Sequence, residues 1–308
     1  MADLPTIATL WVGGSLSWLE RLCLKSFVDA GHHTILYTYE EVEGVPEGVE
    51  RRDGRTILEG KPTYKHARSG SVAPFADIFR FHMMRKAPGL IWVDTDVYCW
   101  KPLIAPDDHV FGYERPRRIN SAVLRLPPDS DALGQFLEFM EDEFPIPPFL
   151  SKAVRAEYRA AAEAGAPVHV ADMPWGLWGP VGLSFFLKQT GEVKYARERT
   201  VYYPVPYPHR NLLFKKPKKV MPMLAADTEA VHLWSPIKRF SAGRFGGYAP
   251  HSSFLWHRLR HHGIDVREGR VMRYGDREFD HTAFDENLAA AQAARAEAEA
   301  TAQPQQNA

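Results

Sequence analysis

The sequence predicts an α/β domain built on a central, mainly parallel sheet flanked by helices. Three observations predict it. The chain opens with a β-α-β pattern: an apolar run over residues 6–12, apolar residues at helical spacing over 16–30, and a β-branched and aromatic run over 34–39. A second helix and apolar run follow over 76–86 and 90–93. That second run ends abruptly in two carboxylates, Asp94 and Asp96, and ligands of open α/β sheets sit beyond the carboxyl ends of strands.

The first run, Thr-Ile-Ala-Thr-Leu-Trp-Val, stops at Gly13-Gly14, a pair that suits close backbone approach by a ligand. The helix after it carries Leu19, Leu22 and Phe27 on one face and ends at Gly31. Neither Gly-x-Gly-x-x-Gly nor Gly-x-x-x-x-Gly-Lys-Ser/Thr occurs here, which counts against dinucleotide enzymes and P-loop ATPases. Residues 40–72, rich in Gly, Pro and charge, read as a connecting loop with short elements, with Lys65 a surface lysine in Tyr64-Lys65-His66. After Pro74, Ile78, Phe79, Met83 and Met84 form an apolar stripe. Asp77 and Arg80 are three apart on that helix; taken alone they read as a surface ion pair.

Pro88-Gly89 opens the next strand, which predicts burial for Leu90 to Val93. If the chain stays extended, Asp94 and Asp96 project from one face. Two carboxylates so placed repel each other unless a cation lies between them. Hard cations such as Mg²⁺ or Mn²⁺ take oxygen ligands and leave room for substrate phosphates. Turn and cap chemistry is the other reading of an isolated Asp-x-Asp.

Taken together, Ala76-Asp77-Ile78-Phe79-Arg80, Gly89-Leu90-Ile91-Trp92-Val93-Asp94-Thr95-Asp96 and Lys101-Pro102-Leu103 resemble the donor-binding core of Asp-x-Asp sugar-nucleotide glycosyltransferases. The likeness is greatest to glycosyltransferase family 32 and the capsular polysaccharide synthesis enzymes, and covers about residues 72–103. It implies a GT-A-like (Rossmann-like) single domain over 1–280, followed by an Ala-rich helical or disordered tail over 281–308. It also implies a hexosyltransferase that needs Mn²⁺ or Mg²⁺. Such an enzyme moves a sugar, with retention, from a nucleotide-diphosphate donor such as a UDP-sugar to a hydroxyl on a glycan or lipid-linked sugar. By the same resemblance Asp94, Asp96 and His232 are the metal ligands. Trp11, Val12, Gly13, Asp77, Arg80, Asp94, Trp234 and Lys238 face the donor. The likeness identifies no nucleophile or base.

Further on, strands are predicted over 110–113 and 120–125, an amphipathic helix over 131–143 halted by Pro145, Pro147 and Pro148, and a surface helix over 151–164. Asn120 is a candidate acceptor contact and equally a turn residue. Asp172, Trp175 and Trp178 lie in a Gly- and Trp-rich stretch where aromatic rings could stack on a sugar or simply fill a loop; Gly179-Pro180 then leads into a helix over 183–188. The Tyr/Pro alternation over 201–208 predicts an exposed irregular strand. Lys215-Lys216-Pro217-Lys218-Lys219 reads as a solvated loop or as a patch for anionic lipid or acceptor phosphate. His232 closes a short apolar strand, and residues 243–247 are a candidate lid. The pairs His32-His33 and His261-His262 read as surface histidines.

Lys plus Arg and Asp plus Glu both number 38, so no global basic field recruits nucleic acid. Two cysteines, Cys23 and Cys99, make neither a disulfide framework nor a zinc cluster. No signal-peptide pattern or membrane-length apolar run is evident, which predicts a cytoplasmic protein and leaves peripheral contact with the inner membrane face open. Two rival functions use the same carboxylates or the same fold: a metal-dependent phosphohydrolase and a non-catalytic sugar-nucleotide or glycan binder.

Overall fold

The chain begins with β1 (Ile7–Trp11), α1 (Trp18–Asp29) and β2 (Thr34–Thr38), the β-α-β unit the sequence predicts. The computed structural model describes residues 4–59, 73–174 and 176–271. Helix α1 starts in a reciprocal cap: Ser17 accepts from the first turn while Glu20 accepts from the Ser17 backbone N–H at 2.9 Å. Next comes β3 (Val49–Asp53), which the sequence reading folded into a loop. Its sequence, Val-Glu-Arg-Arg-Asp, is polar because it is an edge strand facing water, so no apolar run marks it.

Then follow α2 (Ala73–Lys86), β4 (Ile91–Val93), β5 (Val97–Cys99), β6 (Val110–Arg115) and β7 (Arg118–Arg125). Six strands form the main sheet in the order β3-β2-β1-β4-β7-β6. The first four run parallel; β7 is antiparallel to β4, and β6 to β7. Alternation along β4 serves two cores. Trp92 packs among Phe79, Phe81 and Phe136 on one face, and Ile91 and Val93 pack with Val123 and Tyr203 on the other.

The helices on the first face are α2, α3 (Asp131–Met140) and α5 (Gly182–Gln189), while α4 (Lys152–Glu163) buries no residue. Residues 201–208 do not form an exposed strand. A single helical turn, α6 (Arg199–Tyr202), leads into a buried run that starts within it at Val201 and ends at Val205, because two tyrosine rings fill the space beneath the main sheet. The chain ends with β8 (Ala230–His232), α7 (Ile237–Phe245) and α8 (Phe254–His261). Strand β8 pairs with β5 as a separate antiparallel ribbon, with Val97 opposite His232 and Cys99 opposite Ala230.

Other expectations need correction. Residues 243–247 are no lid: Gly246 caps α7 at φ 63°, and the buried Gly247 carbonyl accepts from Trp18 Nε1 at 2.9 Å and from the Val271 N–H at 3.0 Å. His32 is buried, its Nδ1 2.8 Å from the Pro5 carbonyl and its Nε2 accepting from the Leu103 N–H at 3.0 Å. His262 is buried between Asp29 (2.7 Å) and the Tyr98 hydroxyl (2.9 Å). Each histidine pair thus divides between core and surface, because neighbours at a helix end point opposite ways. Cys23 and Cys99 are buried free thiols. No helix among the described residues is long and apolar enough to cross a membrane. The expected tail over 281–308 and the Tyr64-Lys65-His66 segment lie outside the described residues.

Candidate metal centre

The centre forms where β4 runs out. The Asp94 N–H still donates to the Ala122 carbonyl of β7 at 2.8 Å, and the chain then turns, the Val97 N–H donating back to the Asp94 carbonyl at 3.0 Å. Asp94 and Asp96 therefore do not share the face of an extended strand. A turn separates them and carries Asp96 to the β5–β8 ribbon. There the Leu233 N–H donates to the Asp96 carbonyl at 2.8 Å, the Ser235 N–H donates to its Oδ2 at 2.5 Å, and His232 Nε2 lies 3.2 Å from its Oδ1. One ligand atom from each of Asp94, Asp96 and His232 lies within 4.8 Å of the others.

An ion bound at about 2.1 Å separates adjacent ligand atoms by about 3 Å and opposite ones by about 4.2 Å. The 4.8 Å limit on the three ligand atoms is a little wider than that span, so a small side-chain movement would close them on an ion, and two oxygens with one imidazole nitrogen suit a hard divalent cation. The second imidazole nitrogen of His232, Nδ1, is buried with no hydrogen-bond partner among the described residues, which leave this ring unsatisfied. These three side chains can hold a divalent metal.

Around the metal centre the charges are arranged to keep both acids in place. Burial lowers the pKa of His232, but the Asp96 charge and hydrogen bond, with Asp94 and Glu114 behind them, outweigh it and leave the imidazole raised. Burial raises Asp96, and His232, Lys238 and the Ser235 N–H overcome it and hold the carboxyl below its ordinary value. Trp234 stacks on His232 with ring centroids 4.0 Å apart, and its Nε1 donates to the Val205 carbonyl at 2.8 Å. Its backbone is left-handed, φ 65°, a costly conformation for a tryptophan, and it lies between His232 and the Ser235 N–H that reaches Asp96.

Asp77 and Arg80, expected as a surface pair if taken alone, are buried. Arg80 bridges Asp77 (3.2 Å) and Asp94 (3.1 Å), donates to the Ser121 carbonyl at 2.6 Å, and lies over the Trp92 ring at 4.8 Å. Trp92 Nε1 adds a bond to Asp94 Oδ1 at 2.8 Å. Asp77 also faces a cavity of about 20 Å³, room for one water, walled by Leu177, Trp178 and Met173. Gly179 closes on this carboxylate so tightly that a Cβ there would lie 2.8 Å from Asp77 Oδ2.

Burial pushes the Asp77 carboxyl up to about 6; Arg80 opposes the shift and Asp94 adds to it. The sign follows. A folded-state pKa above the unfolded one favours the protonated form, so its contribution is complete below about 4 and is lost as the pH rises through about 6. In chelator-treated protein, the Asp77→Asn variant should gain on the wild type by up to about 3 kcal/mol between pH 4 and 7.5. Urea melts of both proteins at each pH measure the gain; a constant difference would refute it.

Of the residues expected to face a donor, Trp11 closes β1 and Val12 and Gly13 follow it, Gly13 at φ 140°. Lys238, from α7, pairs with the buried Glu20 carboxylate and lies 5.2 Å from the Trp11 ring. Of the acceptor candidates, Asn120 is buried, its amide committed to Glu114 (2.6 Å) and to the Ala122 N–H (2.8 Å). Trp178 is a buried wall of the Asp77 cavity, Asp172 is exposed and does not line it, and Trp175 lies outside the described residues. Sequence reasoning missed Glu114, whose charge reaches His232, as well as Ser235 and Tyr203. None carries a motif: Glu114 comes from β6 and Tyr203 from the end of α6 through packing, while Ser235 follows His232 in the chain.

No family model matches the chain, and no curated protein matches it. Among solved structures it is similar to "PaToxG Glycosyltransferase" at 14% identity and a TM-score of 0.40, over 61% of this chain and 69% of that one. At that score the likeness carries no weight for activity or substrate.

Proposed function

We propose that the protein is a metal-dependent glycosyltransferase that moves a sugar from a nucleotide-diphosphate donor, a UDP-sugar first among them, to a hydroxyl acceptor. One observation carries the reading: two acids and an imidazole converge where a buried parallel strand ends. A bound Mn²⁺ or Mg²⁺ would supply Lewis-acid charge for a leaving diphosphate. Asp94, Asp96 and His232 would hold it. In the transfer, the bond from the anomeric carbon to the phosphate oxygen breaks, and its electron pair leaves with the diphosphate. The acceptor oxygen bonds to that carbon and passes its proton to the departing diphosphate. Arg80 fixes the positions of Asp77 and Asp94, and the ring of Trp11, beside Lys238, offers a face for the base.

Retention at the anomeric carbon and a glycan or lipid-linked acceptor belong to the same proposal and rest on the family resemblance. Thermal shift with Mn²⁺ and a panel of nucleotide sugars tests the donor. UDP and UDP-sugars should raise the melting temperature only with metal present, by mass action. Because the His232 imidazole is raised and a metal takes it neutral, calorimetry near neutral pH should also record proton release on metal binding. Failure of every UDP compound to stabilise the metal-loaded protein overturns the donor assignment; absence of any metal binding overturns the whole reading.

A further inference from the structure

We propose that the face formed by residues 207–223 docks the protein on an anionic lipid bilayer. Between Glu198 and Asp227 the sequence holds six Lys or Arg residues and no acid, in a chain whose charges balance only when these six are counted. The structure folds the middle of this stretch as three consecutive short 3₁₀ turns, Tyr207–Phe214, Pro217–Lys219 and Met221–Met223. Leu213, Phe214 and Val220 are buried and pin the turns to the core. Between and beside them Lys215, Lys216, Lys218 and Lys219 are exposed, and none of the four is in an ion pair among the described residues.

A solvated loop explains the lysines but not their neighbours. Two of the five large apolar side chains most exposed among the described residues, Tyr207 at 46% and Met221 at 43%, flank the lysines. Arg210 lies 4.0 Å over the Tyr207 ring. Cations interleaved with a methionine and an aromatic suit a bilayer interface: the charges meet anionic headgroups, and the apolar groups enter the boundary with the acyl chains. A lone phosphate would instead need donors converging on one point.

The face also adjoins the metal centre. The Tyr207 ring meets Trp234 edge-on at 5.5 Å, and Trp234 stacks on His232. A bilayer held there would bring a membrane-borne hydroxyl acceptor close to the metal. That last consequence rests on the proposed transferase activity; the docking does not.

The test is co-sedimentation of the full chain with vesicles of phosphatidylcholine alone or with one-third phosphatidylglycerol. The wild type should sediment with the anionic vesicles and not the neutral ones, and about 0.5 M salt should release it. The K215E/K216E/K218E/K219E variant should partition at least about 100-fold less, and Met221→Asp several-fold less. Both variants should keep the wild-type melting temperature without added metal, which separates lost docking from misfolding. Equal binding to both vesicles, no binding at all, or unchanged binding by the four-lysine variant would overturn the proposal. So would capture by soluble heparin without capture by vesicles. No nucleotide sugar enters this assay and no vesicle enters the thermal-shift panel, so either proposal can fail alone.

Discussion

Replacing Asp96 with asparagine should lower turnover by about 10³-fold or more and weaken Mn²⁺ binding by at least about 100-fold, with the fold retained. Asp96 is the residue on which the centre converges: its Oδ1 faces His232 and its Oδ2 accepts from the Ser235 N–H. The amide keeps one carbonyl oxygen for Ser235 and loses the charge that draws a cation. His232 can shed its proton when that charge disappears, so no buried ion is stranded, and the folding cost should stay near 1–3 kcal/mol. Metal titration followed by calorimetry, together with a urea melt, separates the two effects. Turnover at the wild-type level in this variant would remove the metal hypothesis.

Arg80→Met should have the opposite profile, a loss of stability of about 3–5 kcal/mol before any effect on chemistry is measured. The guanidinium serves Asp77, Asp94 and the Ser121 carbonyl from a buried position, and methionine fills the volume while serving none of them. Two acids are left facing each other without their cation. Lysine restores the charge but has no planar fork to span three acceptors, so Arg80→Lys should recover only part of the loss. The double variant Arg80→Met/Asp77→Asn should be less unstable than the sum of its parts, because one stranded acid has been neutralised. Additive urea-melt free energies would show that Arg80 and Asp77 do not act as a pair.

Much of the fold was legible because β1, β2 and β4 are buried on both faces and are therefore written as apolar runs. Strand β3 was not, since an edge strand facing water has no reason to be apolar. Residues 201–208 misled for the converse reason: tyrosine and proline look like surface punctuation until the rings are seen filling the space under the sheet. At the site, Asp94, Asp96 and His232 could be picked out by residue type and by resemblance. The turn that joins the two acids was legible only as the alternative reading of Asp-x-Asp, because residues 94–97 carry neither glycine nor proline to decide for it. Arg80 was legible as a partner of Asp77, but its reach to Asp94 depends on a crossing of α2 over β4 that local spacing does not encode.

The ribbon that carries Asp96 toward His232 has only three rungs, with Val97 opposite His232 and Tyr98 opposite Val231. Side chains alternate faces along a strand, so a slip of one residue would turn the imidazole into hydrocarbon and offer Val231 to the cation instead. Deleting one residue between Ala225 and Glu229 would drive the slip the other way, bringing Leu233 into the place of His232, and should cost both metal binding and stability, because Thr228 and Glu229 in that segment are buried and hydrogen-bonded. Tolerance to insertion and deletion here is a matter of phase rather than of loop length.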